Sequence, residues 1–508
     1  MTAQISLPTT VRRPVVWQRL AGAGVVPWVI GLVLLVRLSE FRSGGSPDEG
    51  GFLVVAGQWH AGTSLYGNYW VDRPPGLIGL FRVADLFGGL GALRVLGALA
   101  ACAAVALLAS SSRRVFGPRA AAWTAVVAGA LLVSPLYGAV DVNGELLALP
   151  FIALGVRAAI EAVHATEPLA ARTAALLTGA AAMSALLVKQ NMADVFVFAA
   201  VLWTASLQQR GLSWRTLTER VVAAASGAVA AYAVVMLWAM AHGTSPLGVY
   251  QATYPFRVRA AHVIAASSSQ SAGIRLSHLV SAWTWSAVPL LVLAFLLVAV
   301  RRSRTPAATW AVIALLGYSG FSVLAGGSYW LHYLVETVPA VALAAGATSL
   351  AAPRLLRPLA VLVTCSALVA AGVVAVRPTP TPGTSVGEAL HQVARPGDTV
   401  MSAFGDADIL RSTGMSSPYP YLWSLPSRTL DPDLTLLREV FAGPEAPTWV
   451  VVRGPSTIER LATHDVLGLI DSRYRQVADL CGRRIYLRRD QQRATPVDAR
   501  TCTGTALP

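Results

Sequence analysis

The sequence predicts an α-helical polytopic membrane protein of about eleven transmembrane helices with a small α/β domain at its C-terminal end. Three observations carry this. Of 508 residues, 55% are hydrophobic and only 13% charged, and mean hydropathy is +0.56. A soluble chain carries about 25% charge, so one core cannot hide this much apolar surface and lipid must be the solvent for most of it. Apolar runs of about 17–25 residues, the length that crosses a bilayer, recur up to residue 376. Beyond Arg377 they stop, and shorter patterned segments replace them.

The formal net charge of +14 first reads as a nucleic-acid signal. The arginines, however, sit in short clusters between apolar runs, which is the pattern of cytoplasmic loops. The expected partner is therefore the lipid bilayer and not nucleic acid. Arg12 and Arg13 precede the first run, 15–38, and place the N-terminus in the cytoplasm. That run is too long for a cleaved signal and has no clear small-residue cleavage site, so it reads as a retained span. Further spans are expected at 90–110, 121–137, 146–160, 173–188, 193–207, 221–241, 279–300, 307–324, 329–350 and 359–376. This parity puts every arginine-rich loop between spans on one side. It makes the chain a multi-pass protein of the plasma membrane with an extracytoplasmic C-terminal domain.

The expected units are a membrane module, 1–376, with a first extracytoplasmic loop at 40–80, and a tail domain, 377–508. Pro378, Pro380 and Pro382 form a stiff linker between them. In the tail, 398–404 and 448–453 read as strands and 434–441 and 457–469 as helices. Segments 474–480 and 484–487 read as a hairpin around Cys481-Gly482. No glycine there belongs to a phosphate- or dinucleotide-binding loop. Cys102 and Cys365, inside apolar runs, read as small buried side chains. Cys481 and Cys502 are either a disulfide or two unrelated thiols, and spacing alone favours neither.

Chemistry concentrates in the first loop. Asp48-Glu49 follows Pro47 and precedes Gly50-Gly51. Two carboxylates at a membrane edge are expensive unless used, and a rigid turn with two permissive glycines suits a carboxylate presented to a ligand. An isolated acidic pair is more often a solvated loop. Convergence reverses that balance: Asp48, Glu49, Asp141, Glu145, Lys189, Arg257, Arg259 and His332 all map to the outer ends of the spans. The expectation is an outward-facing, partly enclosed cavity holding both acids and bases.

Residues 46–77, SPDEGGFLVVAGQWHAGTSLYGNYWVDRPPGL, resemble the first extracytoplasmic loop of the GT-C glycosyltransferases, specifically the protein-mannosyltransferase and aminoarabinose-transferase-like families. The shared pattern is an acidic pair, an amphipathic helix at 53–59, a turn from Gly62 to Tyr66, and Pro74-Pro75. The resemblance continues at Asn143-Gly144-Glu145, at Leu187-Val188-Lys189-Gln190 and along 332–339. It implies the GT-C fold, a polyprenyl-phosphate-linked sugar donor, and an acceptor that is a glycan, lipid or protein, with hexose and pentose both open. Carried over residue by residue, Asp48 is the general base and Glu49 a helper that orients Asp48 or the acceptor. Lys189, His332, Arg257, Arg259 and Arg73 are candidates for the donor phosphate. Glu145, Asp141, Tyr66 and Tyr333 are candidates for sugar or acceptor.

Bland alternatives stand beside these roles. Lys189 at a helix end suits snorkelling to the interface, Glu145 suits a core-facing carboxylate paired with a base, Arg73 suits contact with lipid headgroups, Arg257 and Arg259 suit plain loop charges, and Trp59, Tyr66, Tyr69 and Trp70 suit an aromatic belt. No cofactor is expected. Some relatives use a divalent ion near the acidic pair, and Asp48, Glu49 and Asp141 offer oxygen ligands, but no metal-binding spacing is evident. The competing function is a polytopic transporter or lipid flippase. Against it, the sequence shows no internal repeat and no paired broken spans, and its carboxylates lie near one surface. A scaffold that only displays the tail leaves the convergent ionisable residues unexplained.

Overall fold

The computed structural model describes residues 15–39, 41, 44–60, 62, 64–266, 270–376 and 381–497. Arg12, Arg13, Pro378, Pro380 and Cys502 lie outside them.

Each expected span coincides with a helical element. Seven are long and apolar enough to cross a membrane: Leu90–Phe116, Gly144–His164, Pro168–Val188, Trp214–Ala241, Pro306–Ala325, Leu331–Ala351 and Pro353–Val376. The run expected at 279–300 is a pair of helices, Ala272–Trp285 and Val288–Val298, bent by 62°. Ala287 at the break has φ +59°, and Pro289 in the first turn of the second helix lacks the donor that would continue the ladder. Gly24–Ser39, Pro118–Leu132 and Asp194–Gln208 are shorter apolar helices. The eleven expected crossings thus resolve into seven helices of full length, one bent pair and three short helices.

Small residues set the closest helix approach. A Cβ added to Gly179 would stand 1.7 Å from the Ala224 carbonyl oxygen, and one on Gly227 2.0 Å from that of Leu176. Only glycine lets Pro168–Val188 and Trp214–Ala241 meet backbone to backbone there.

The first-loop helix, Pro47–Gln58, starts from a capping box. The Ser46 hydroxyl accepts from the Glu49 amide at 3.3 Å, and the Glu49 carboxylate accepts from the Ser46 amide at 3.0 Å. The sequence reading of Gly50-Gly51 as a permissive joint is corrected here, because both lie inside this helix. A Cβ on Gly50 would stand 2.5 Å from the Asp408 Cα, and one on Gly51 2.4 Å from Cζ2 of Trp423. The glycines are there because the C-terminal region seats on them.

That region carries a four-stranded sheet of order β1-β2-β4-β3, with β1 Val400–Ser402, β2 Trp449–Arg453, β3 Tyr474–Leu480 and β4 Arg483–Arg488. The β1–β2 pair is parallel and the others antiparallel. Strand alternation divides its two faces. Trp449, Val451, Ile485 and Leu487 join the apolar core that runs into the membrane helices, while Val450, Val452 and Tyr486 join a second core with Leu437 and Phe441. The helix expected at 457–469 is two, Gly454–Thr463 and Val466–Arg473, separated at Asp465 with φ +58°. Helices Pro382–Val393, Ala407–Thr413 and Ser424–Leu430 were not expected. Cys481 is disulfide-bonded. Cys102 is a free thiol, half-buried, and Cys365, expected to be buried, is free and exposed.

Candidate active site

Asp48 and Glu49 are neighbours in sequence with opposite fates. Glu49 is fully buried at 0% exposure. Its oxygens accept from Arg94 at 3.0 Å, from the Val142 amide at 2.8 Å and from the Ser46 amide at 3.0 Å. It welds the first-loop helix to helix Leu90–Phe116 and to the segment before Gly144, and lies outside the cavity lining. Asp48, one residue earlier, lines a cavity of about 550 Å³. One of its oxygens, Oδ1, accepts from the Trp423 indole N–H at 2.9 Å. Burial pushes the Asp48 carboxyl above its ordinary range, opposed by the charge of Arg73 and by the Trp423 bond.

The next wall is an arginine pair held by one carboxylate. Asp72 accepts from Arg73 at 2.5 Å and from Arg257 at 3.2 Å. Burial pulls the Asp72 carboxyl up, but the two guanidinium groups outweigh it and hold it below normal. Three charges of which two are positive leave the trio at net +1. Local folding fixes it in place. Pro74 caps and Pro75 opens helix Pro75–Leu86 directly after Arg73. Gly76 lies so close to helix Pro168–Val188 that a Cβ there would stand 2.4 Å from the Leu187 oxygen. The Tyr66 hydroxyl donates to the Arg73 carbonyl at 3.0 Å, so Tyr66 braces the turn from outside the cavity.

Behind the cavity stands a second ionic group. Lys189 is ion-paired with Glu145, and His332 Nε2 lies 3.7 Å from the same Glu145 oxygen. The Lys189 ammonium sits over the Tyr333 ring, 4.5 Å from its centroid. Lys189 and Glu145 are absent from the cavity lining, whereas His332 and Tyr333 belong to it. The Lys189 charge is thus met by the buried Glu145 carboxylate. Arg259 is exposed and is also absent from the lining. Asp141 lines the cavity; burial and the nearby Glu49 charge push its carboxyl up to about 7.

The structure therefore brings Asp48, Asp141, Arg73, Arg257, His332 and Tyr333 around one space. Among the described residues, no group of three or more His, Cys, Asp or Glu is placed to hold a metal ion.

No protein-family model and no curated protein matches this sequence. Solved structures do. ArnT from Cupriavidus metallidurans bound to undecaprenyl phosphate superposes with a TM-score of 0.59 at 18% identity, covering 91% of this chain and 98% of that one. Its apo state gives 0.60 at 17% identity over 92% and 98%. The chain has the GT-C fold. With its seven full-length apolar helices, it is a multi-pass membrane protein.

Within this GT-C fold, several cavity residues escaped the sequence reading. Asp72 was passed over beside the more conspicuous Arg73. Arg275 donates to the Ser328 carbonyl at 2.7 Å and lies 4.8 Å from the Trp330 ring centroid; no carboxylate neutralises it among the described residues. Trp423 and Arg428 come from the tail. The one available signal concerned Glu49. Ser46-Pro47-Asp48-Glu49 has the spacing of a capping box, which assigns the glutamate to the helix start and leaves the aspartate for the ligand.

Proposed function

We propose that this protein is a membrane glycosyltransferase that moves a sugar from a polyprenyl-phosphate donor to an acceptor hydroxyl, with Asp48 as general base. The observation that carries this reading is a partly enclosed cavity with a carboxylate on one wall and the Arg73–Asp72–Arg257 trio on another. The likeness to an ArnT bound to undecaprenyl phosphate supports the donor class.

The step balances as follows. The acceptor oxygen attacks the anomeric carbon while its proton passes to Asp48. The bond from the anomeric carbon to the phosphate oxygen breaks, and polyprenyl phosphate leaves with the electron pair. A phosphate leaves without prior protonation, so one base suffices. The donor diester carries one negative charge, which the net +1 of the trio matches. The leaving monoester gains a second, and Arg275, free of any carboxylate partner among the described residues, stands ready for it. His332 and Tyr333 offer hydrogen bonds to the sugar or phosphate, and Asp141 to the sugar or acceptor. Glu49, Glu145, Lys189 and Tyr66 hold the walls. Displacement in one step inverts the anomeric configuration.

In the proposed topology the cavity opens on the extracytoplasmic face, with the N-terminus inside and 377–508 outside as an α/β unit seated on the first-loop helix. Support comes from the far ends of the helices, where Arg113, Arg114, Arg172 and Arg215 gather.

The test uses purified protein in nanodiscs with radiolabelled polyprenyl-phosphate sugars. Release or transfer of sugar that disappears in Asp48→Asn is the expected result. Turnover by that variant at the wild-type rate removes Asp48 from the role of base.

A further inference from the structure

The wall opposite the membrane helices comes from the C-terminal region, and one of its residues touches Asp48 itself. Trp423 stands at the N-cap of helix Ser424–Leu430. Its ring packs on Phe52 of the first-loop helix, centroids 5.2 Å apart, and covers Gly51, where any Cβ would strike it. The ring is thus clamped before its N–H is considered. From that position the indole donates to Asp48 Oδ1 at 2.9 Å. Among the described residues this is the only hydrogen bond to the Asp48 carboxylate. Its other oxygen is not among the buried atoms lacking a partner, so it keeps its opening to the cavity.

We propose that Trp423 is a positioning residue for Asp48: it fixes one carboxylate oxygen so that the other faces the acceptor hydroxyl, and the C-terminal region is thereby part of the active site. The proposal rests on the glycosyltransferase reading above. The geometry has a chemical consequence. A carboxylate free to rotate presents either oxygen and loses the near-attack arrangement in which base and hydroxyl are aligned. An N–H donor on one oxygen also favours the ionised form that a base needs. The other charged groups acting on Asp48 are Arg73, Asp72 and Lys189, with Asp141 on the facing segment. The C-terminal region brings Asp406, whose charge is met by Arg453 at 3.0 Å and Arg483 at 2.8 Å, and Asp408 against Gly50. None of these groups is altered by a change at Trp423.

Trp423→Phe keeps the ring on Phe52 and deletes only the donor. The expected result is a fall in kcat of about tenfold to a hundredfold, the loss set by one hydrogen bond to a charged group. KM for the donor stays within about twofold, because the indole N–H bonds Asp48 while Arg73 and Arg257 are held by Asp72. The acid limb of kcat/KM moves to higher pH, because removing the donor makes Asp48 harder to ionise. Trp423→His retains a ring N–H and is expected to recover part of kcat. Equal losses in both variants with an unmoved acid limb overturn the proposal, as does loss of folding in both, seen by thermal unfolding in detergent. The two levels separate cleanly. A wild-type protein that transfers no sugar sinks the glycosyltransferase reading, whereas wild-type turnover matched by Trp423→Phe at every pH sinks only the role of Trp423.

Discussion

The two ends of the helical bundle carry charge in different ways. At the cavity end ion pairs are buried: the Arg94 and Glu49 side chains are 2% and 0% exposed. At the opposite end they lie open, as in Arg172–Glu219 and Arg215–Glu219, where the Arg215 side chain is 90% exposed. An exposed pair is screened and contributes little. A buried pair tolerates no partial loss, because removing one partner strands the other. In the proposed topology the far end is the cytoplasmic one, where the number and side of the charges matter more than their geometry. The cavity end uses it to hold walls, where each partner matters.

This contrast can be broken in graded steps. The largest effect is expected at Asp48: Asp48→Asn removes the proposed base and lowers kcat by about a hundredfold to ten-thousandfold, read by sugar transfer in nanodiscs with unchanged thermal unfolding. Next comes Glu49→Gln, which leaves Arg94 buried without its counter-charge. It should cost about 3–5 kcal/mol of stability, measured as a lower melting temperature in detergent, and activity falls with it. Arg257→Ala removes half of the arginine pair proposed to hold the phosphate and is expected to raise donor KM roughly tenfold to a hundredfold, with a smaller change in kcat. The pH profile sharpens the picture further. The base must be ionised to act, and burial holds Asp48 above its ordinary value of 3.8. Activity should therefore fall on acidification through a midpoint above that of a free aspartate, and an acid limb below 3.8 contradicts the assignment. The smallest effect lies at the far end. Glu219→Gln should leave turnover and melting temperature unchanged, and a marked loss in either would erase the distinction between the two ends.

Much of this fold was legible because its signals are local. Apolar runs locate the helices whatever they pack against, and β-branched clusters such as Val450-Val451-Val452 mark strands on their own. Lengths were less legible: the bend at Ala287 is a matter of one residue's backbone. At the site, Asp48, Arg73, Arg257, Asp141, His332 and Tyr333 were reached from their positions at span ends and from the loop resemblance. What stayed hidden were partnerships over long distances. Nothing in Gly50-Gly51 says that Asp408 and Trp423 rest on them. A base for Glu145 is one of its two readings, but nothing in the sequence names Lys189, on another helix and 44 residues away in the chain. Trp423 gave no signal, since a lone tryptophan in a polar segment has no period to betray it.

The contact between Trp423 and Asp48 joins residues 375 positions apart. Ribosomes extend a chain at about 5–20 residues per second, so roughly half a minute separates synthesis of the carboxylate from synthesis of the indole. During that interval most membrane helices have already been delivered to the bilayer, where lipid-linked sugars would meet them. A nascent chain halted anywhere in that interval carries Asp48 without its indole partner. On the proposed roles, full turnover awaits the last quarter of the polypeptide, which must emerge and fold back over the beginning of the chain to close the cavity.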